Sequence, residues 1–250
     1  MYAIEQEWDD IDFMVRSFQN TMMRVRYSGI PVVVAPHALA LGGGCEITLH
    51  ADKVVAHAET YIGLVEFGVG LIPAGGGSKE FTLRVSDSLE DGDMYLNKLK
   101  NAYMNIATAK VATSAHEAKQ MNILKQGDVI VLNRDRQISL AKSEALKLAE
   151  AGYTQPKQRK DIQVLGKSGL GMFYAGAHTM LSGKYVSEHD VKISHKLAHI
   201  MCGGELSAPT TVSEQYLLDL EREAFVSLCG EKKTLERIQS ILTTGKPLRN

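Results

Sequence analysis

Ile30-Pro31-Val32-Val33-Val34-Ala35, then Ala40-Leu41-Gly42-Gly43-Gly44-Cys45-Glu46, is the stretch from which the rest of the chain can be read. The β-branched apolar run Pro31 to Ala35 predicts a buried strand. Pro36-His37-Ala38-Leu39-Ala40 predicts a turn into a helix from Gly43 to Ala51. Three consecutive glycines at a helix start leave backbone N–H groups unshielded, so a ligand oxygen can approach them closely. Glu46 follows two residues beyond the triplet. A second acid, Glu66, lies in the Gly-rich apolar segment Ile62 to Leu71, ahead of Ile72-Pro73-Ala74-Gly75-Gly76-Gly77. An anion-stabilising turn with two partly desolvated acids is equipment for moving protons beside a polarised carbonyl.

Working outward, Trp8, Ile11, Val15, Phe18, Met22 and Val25 recur at spacings of three and four, which predicts an amphipathic helix ending near Tyr27-Ser28-Gly29. Lys53 to His57 and Thr60 to Ile62 read as short strands, and a helix is expected after Gly77. Met94 to Met121 has a helical pattern with a boundary near Ser114-Ala115. Val129 to Leu132 reads as a strand and Gln137 to Ala151 as a helix. The polar, basic stretch Gly152 to Lys160 then marks a composition shift. The expected organisation is therefore an α/β core over residues 1–151 and a helical region over 152–250, with helices running from Ala175, Ser187 and Ser213.

The bulk properties exclude several classes. A length of 250 residues supports one sizeable core, and 44% hydrophobic with 23% charged residues is ordinary for a globular protein. A formal net charge of -1 gives no electrostatic reason to expect nucleic acid or an acidic membrane as partner. Cys45, Cys202 and Cys229 are widely spaced and form no CxxC, so a reducing compartment is the default. No apolar run reaches membrane-spanning length, and Met1-Tyr2-Ala3-Ile4-Glu5-Gln6-Glu7 lacks the pattern of a signal peptide. A soluble cytoplasmic chain is the expectation.

Val32 to Arg84 resembles the core of the crotonase (enoyl-CoA hydratase/isomerase) superfamily. The resemblance rests on the Ile30–Ala35 run, Ala40–Glu46, and Leu64-Val65-Glu66 ahead of Ile72-Pro73-Ala74-Gly75-Gly76. Downstream, Thr113 to Ile123 is similar to the family's next helix. Leu220 to Phe225 and the stretch through Gly245-Lys246-Pro247 are similar to its closing helices. The resemblance implies a β-β-α superhelix of the ClpP/crotonase type, incomplete at its N-terminal side, followed by a helical C-terminal region.

It also implies roles. The middle glycine, Gly43, would donate its N–H to the thioester oxygen of an acyl-CoA, with Leu41, Gly42, Gly44 and Pro73 lining the substrate. Glu46 would orient and activate a water, and Glu66 would exchange the proton at the α-carbon, as in the hydratases of the family. Hydration needs no metal and no bound cofactor. The upstream strands and the loop holding a second oxyanion donor are missing from the pattern, and Gly152 to Thr211 is longer than a minimal hydratase requires. These departures point to the C-terminal part of a fused 3-hydroxyacyl-CoA dehydrogenase and hydratase of fatty-acid β-oxidation. NAD would belong to the dehydrogenase portion outside this chain. Weak or no activity of the chain alone is the expectation, as is a homo-oligomer. Ile241 and Thr244 stand where many hydratases place an aromatic and a lysine against CoA, and Lys246 is the candidate substitute. An isomerase or another lyase of the family, and a non-catalytic assembly module, are the alternatives. The retained pair of glutamates argues against both the isomerase and the module.

Two further patterns are weaker. Neither Pro73-Ala74-Gly75-Gly76-Gly77 nor Gly166-Lys167-Ser168 completes a P-loop or a dinucleotide turn, and the second reads as a loop. His195, His199, Cys202 and Glu205 have passable metal-ligand spacing. One helix face ending with Gly203 as its cap is the simpler account. His37, beside the first glycine turn, reads as structural.

Overall fold

The computed structural model describes residues 2–250. Met1, expected inside or just before the first helix, lies outside the described residues. After a single turn, α1 (Tyr2–Glu5), the helix α2 spans Trp8–Arg26. Its stripe buries Ile11, Val15 and Met22, and Asp9 and Asp10 in its first turn oppose Arg24 and Arg26 in its last, complementing the helix dipole. Gln19 shares the buried face because its Nε2 donates to the Leu218 carbonyl at 2.9 Å.

Next come β1 (Val33–Val34), β2 (Ala38–Leu41), α3 (Gly43–His50), β3 (Lys53–His57) and β4 (Thr60–Gly63). Successive strands go to different sheets. β1 pairs with β3, and β2 with β4, both in parallel. The chain then runs through a short 3-10 turn (Glu66–Val69), α4 (Gly77–Asp87), α5 (Tyr95–Ala107) and α6 (Ala115–Gln120). It returns to the first sheet as β5 (Val129–Val131), again parallel to β3. Parallel neighbours require crossovers, and helices supply them. Two strands, one per sheet, followed by helix is the repeating unit, so the α/β architecture expected from the sequence is present.

Beyond α7 (Gln137–Glu150) lie β6 (Ile162–Val164), α8 (Lys167–Ser182), α9 (Glu188–Met201), β7 (Thr210–Val212), α10 (Glu214–Cys229) and α11 (Lys232–Thr244). Ser187 and Ser213 cap α9 and α10 as their positions predicted, each accepting a backbone N–H from three residues on. Leu49, Ile62, Ile72, Phe81, Leu99 and Ile106 form one apolar cluster with Phe173, Ile193, Leu197 and Ile200. Elements from both sides of Gly152 therefore bury surface against each other.

Four expectations are corrected. The strand expected over Pro31–Ala35 is two residues long and half-buried. The turn expected over Pro36–Ala40 contains β2, whose first two residues are exposed and so give no apolar alternation. The helix expected from Ala175 starts at Lys167: Gly166 is its cap rather than part of a loop, and a Cβ at Gly166 would lie 2.3 Å from the Leu206 carbonyl oxygen. The boundary expected near Ser114-Ala115 is where Ser114 caps α6, but the helix expected ahead of it stops at Ala107, and Ala112 bridges to Ile62. The antiparallel pair β6–β7 was not anticipated.

Candidate active site

The first glycine turn joins the end of β2 to the start of α3. Gly42 has φ 54 and ψ -120, a conformation that favours glycine, and a Cβ there would sit 3.0 Å from Glu66 Oε1. Its own N–H is used, donating to the Gly63 carbonyl at 3.0 Å. Gly43 differs. It is exposed and opens α3, so its N–H has no intrahelical acceptor and points out of the positive end of the helix. Gly44 and Leu41 flank it, half-buried.

Glu46 lies in the first turn of α3 and is buried. Its Oε1 accepts from the Gly75 N–H at 2.7 Å and the Gly77 N–H at 2.9 Å. Burial raises its carboxyl well above the usual range, the charge of Glu66 adds to that and Glu221 contributes further, while the two glycine donors oppose it. Because Oε1 is filled by two donors, a proton held by Glu46 belongs on Oε2. A Cβ at Gly75 would come within 2.6 Å of that oxygen, so glycine is required there to make room.

Glu66 begins the 3-10 turn. Its Oε2 is buried and has no hydrogen-bond partner among the described residues. Burial pushes its carboxyl up to about 7, against hydrogen bonds from the backbone that lower it. The far end of this turn is tied down from a distance. Thr234 of α11 donates to the Gly70 carbonyl at 2.8 Å and also meets His189 Nε2 at 2.9 Å.

The second glycine turn enters α4. Gly75 and Gly77 serve Glu46, and the intervening Gly76 N–H donates to Glu221 Oε1 at 2.6 Å. Ser78 and Lys79 donate to Glu221 Oε2 at 2.9 and 3.3 Å. Gly76 has φ 96, the left-handed conformation that lets consecutive N–H groups diverge. Burial raises the Glu221 carboxyl to about 7. Five consecutive amides are thus divided between two buried carboxylates. Pro73, expected to line the substrate, is buried, and a Cβ on Gly77 would lie 2.9 Å from its own Cβ.

Phe18 of α2 lies against both turns: a Cβ on Gly43 would be 3.2 Å, and one on Gly75 2.4 Å, from its ring. Behind them, His50 closes α3 with Nδ1 at 2.7 Å from the Glu46 carbonyl oxygen and Nε2 at 3.0 Å from Lys79 Nζ. Burial first, and then the Lys79 charge, hold His50 down at about 3, so its ring is neutral. Lys79 Nζ donates to Glu80 at 2.7 Å, and Arg84 spans to the carbonyls of Leu49, Asn122 and Ile123. This buried ionic layer fixes α3 against α4, and with it the two turns.

Of the residues singled out from sequence, Gly42, Glu46 and Glu66 come together, with Gly43 exposed beside them. His37 is exposed on the surface. His195 stacks on Tyr174 with ring centroids 4.1 Å apart, and Cys202 is buried in the apolar cluster. Among the described residues no three His, Cys, Asp or Glu side chains are arranged to hold a metal ion. Glu221 and Phe18 carried no signal of a role. Glu221 lies more than 140 residues from the turn it holds, and Phe18 reads as one more apolar residue of the α2 stripe.

Residues 3–126 match the family model described as enoyl-CoA hydratase/isomerase. That segment holds both glycine turns and both glutamates. That segment belongs to the crotonase family. A Bacillus subtilis (strain 168) protein named "Probable 3-hydroxyacyl-CoA dehydrogenase" is 46% identical over 241 residues, covering 96% of this chain and 30% of that protein. The chain therefore spans under a third of that relative's length. An enoyl-CoA hydratase from Rhodobacter sphaeroides 2.4.1 shares the fold with a TM-score of 0.60 at 14% identity, covering 100% of this chain and 72% of that one. A carnitinyl-CoA dehydratase from Mycobacterium thermoresistibile has a TM-score of 0.56 at 15% identity, covering 97% and 70%. The shared fold thus extends over the C-terminal helices as well as the matched segment. No helix among the described residues is long and apolar enough to cross a membrane.

Proposed function

We propose that this chain carries the enoyl-CoA hydratase activity of a longer β-oxidation protein, adding water across a trans-2-enoyl-CoA double bond. The observation that carries this reading is the unequal surroundings of two neighbouring acids. Glu46 has one oxygen fixed by two amides, while Glu66 has a buried oxygen with no partner among the described residues. Two interacting carboxyls with raised affinity for protons titrate as a pair, so one can give a proton while the other takes one.

Hydration then balances as follows. The water oxygen bonds to the β-carbon as Glu46 takes its proton. The π pair of the double bond shifts through the α-carbon to the thioester oxygen, where the exposed Gly43 N–H stabilises the developing charge. The enolate collapses as Glu66 gives its proton to the α-carbon. The proton lost by Glu66 equals the one gained by Glu46, and exchange with solvent resets the pair. The glycine triplet keeps side chains away from the thioester, with Gly42, Gly44 and Leu41 beside it.

Fusion to a 3-hydroxyacyl-CoA dehydrogenase is part of the proposal, supported by the name of the Bacillus relative and by the chain's short span of it. Nicotinamide chemistry would lie outside these residues. The test is hydration of a short trans-2-enoyl-CoA by the native-length protein and its Glu66→Gln variant. Turnover lost in the variant supports the hydratase. Absence of turnover in a folded wild-type protein overturns it.

A further inference from the structure

Glu46 and Glu221 reach the same five amides from opposite sides. In order along the chain, Gly75 and Gly77 donate to Glu46, while Gly76, Ser78 and Lys79 donate to Glu221. The first four peptides alternate, and the fifth joins Ser78 on Glu221. A peptide plane cannot rotate away from one carboxylate without swinging its neighbours relative to the other. Glu221 belongs to α10, outside the segment matched by the family model, and it is fully buried.

From this division of the turn, and resting on the hydratase reading above, we propose that Glu221 is a positioning residue for Glu46: it holds the Gly75–Lys79 turn so that Glu46 Oε1 is anchored and Oε2 is aimed at the reacting water. An ordinary helix cap would be satisfied by one acceptor on the capping residue itself or by water. Here the acceptor is a buried carboxylate from 142 to 145 residues away, and it takes three N–H groups. Removing it leaves those donors buried and unpaired, which frees the turn to relax at the expense of its grip on Glu46.

The groups facing this arrangement come from four elements. Glu66 faces Glu46 from the 3-10 turn, and Glu221 faces it from α10. Lys79 of α4 faces Glu221, and the His50 ring of α3 lies under Gly76, where a Cβ would be 3.0 Å from it. The negative charge of Glu221 also makes Glu46 hold its proton more tightly. Glu221 therefore acts on both the aim and the basicity of Glu46.

The experiment uses the native-length protein with Glu221→Gln and Glu221→Asp. Three readouts are taken: kcat and KM on a short trans-2-enoyl-CoA, the pH profile of kcat, and hydrogen exchange across residues 73–79. In Glu221→Gln we expect kcat to fall about 10- to 100-fold with KM within about threefold, the signature of an aim lost after binding. The acid limb of kcat should move to lower pH, because Glu46 loses a neighbouring negative charge. Exchange at Gly75 and Gly77 should quicken. Glu221→Asp keeps the charge with a shorter reach, so it should retain the acid limb and lose about three- to tenfold in kcat. It decides the matter if the glutamine variant fails to fold. Folded variants with wild-type kcat, pH limb and exchange would overturn the proposal and leave Glu221 as a helix cap. If wild type itself does not hydrate enoyl-CoA, the hydratase reading fails while exchange judges the turn separately: faster exchange supports its anchoring by Glu221, and unchanged exchange overturns it.

Discussion

The two glycine turns of this protein look alike in sequence and do opposite things. Gly42-Gly43-Gly44 opens a helix with Gly43 exposed and its N–H without an intrahelical acceptor. Gly75-Gly76-Gly77 opens a helix whose leading N–H groups are all taken by the protein's own Glu46 and Glu221. A helix N-terminus attracts anions in either case. What differs is whether the fold has already supplied them. The filled turn is a clamp that sets a carboxylate, and the open one is where an external oxygen can be received.

The largest effect should come from the acids between the turns. Glu66→Gln, and equally Glu46→Gln, should lower kcat for enoyl-CoA hydration about 10³-fold in the native-length protein, measured by steady-state kinetics. Retained hydration in Glu46→Gln would make the filled turn irrelevant to chemistry, whereas no hydration in either form with double-bond isomerisation surviving in Glu46→Gln would favour an isomerase run by Glu66. The open turn comes next. Gly42→Ala forces a side chain into φ 54 and against Glu66 Oε1, and should lower kcat/KM about 10²-fold.

The filled turn should fail in stability as well as in rate. In Gly75→Ala the new methyl meets the Phe18 ring and Glu46 Oε2, at 2.4 and 2.6 Å, for a cost of about 2–3 kcal/mol in denaturant unfolding. Trimming the ring with Phe18→Leu in the same chain should recover part of it. An additive loss in the double variant would show that the ring is not the obstacle.

The smallest effect concerns pH. Glu66 binds its proton more tightly in the folded state than in the unfolded one, so folding stability falls as pH rises from about 4.5 to about 7 and is level above that. Glu66→Gln removes this penalty. It should stabilise the protein at pH 8 by about 1–2 kcal/mol, allowing for partial solvent access, and leave stability at pH 4 unchanged. Equal stabilisation at both pH values would mean that the charge of Glu66 is not what the fold resists.

Much of this contrast could be read in advance because it is local. Glycine triplets followed by a carboxylate, and an acid inside an apolar segment, are short-range patterns with a chemical meaning. Gly42, Gly43, Glu46 and Glu66 were singled out from them. Which turn was filled could not be read, since Glu221 is one acid among several on a helical face until α10 is seen packed against α4. Short strands were hidden for a related reason. Ala38–Leu41 exposes its first two residues, and Ile162–Val164 is only three residues long, so neither carries enough alternation to be recognised. Gly169 and Gly171 masked the first half of α8, because glycine weakens the helical pattern that packing restores.

The tie from Thr234 to the Gly70 carbonyl, 164 residues apart in the chain, has a bearing on when the protein becomes functional as well as on its shape. Synthesis proceeds from the N-terminus, so Glu46, Glu66 and both glycine turns leave the ribosome long before α11 does. Until Thr234 emerges, the 3-10 turn bearing Glu66 lacks its anchor. A nascent chain can thus hold every reacting group of the proposed site before the contact that anchors the Glu66 turn has formed, which places any turnover after the synthesis of α11.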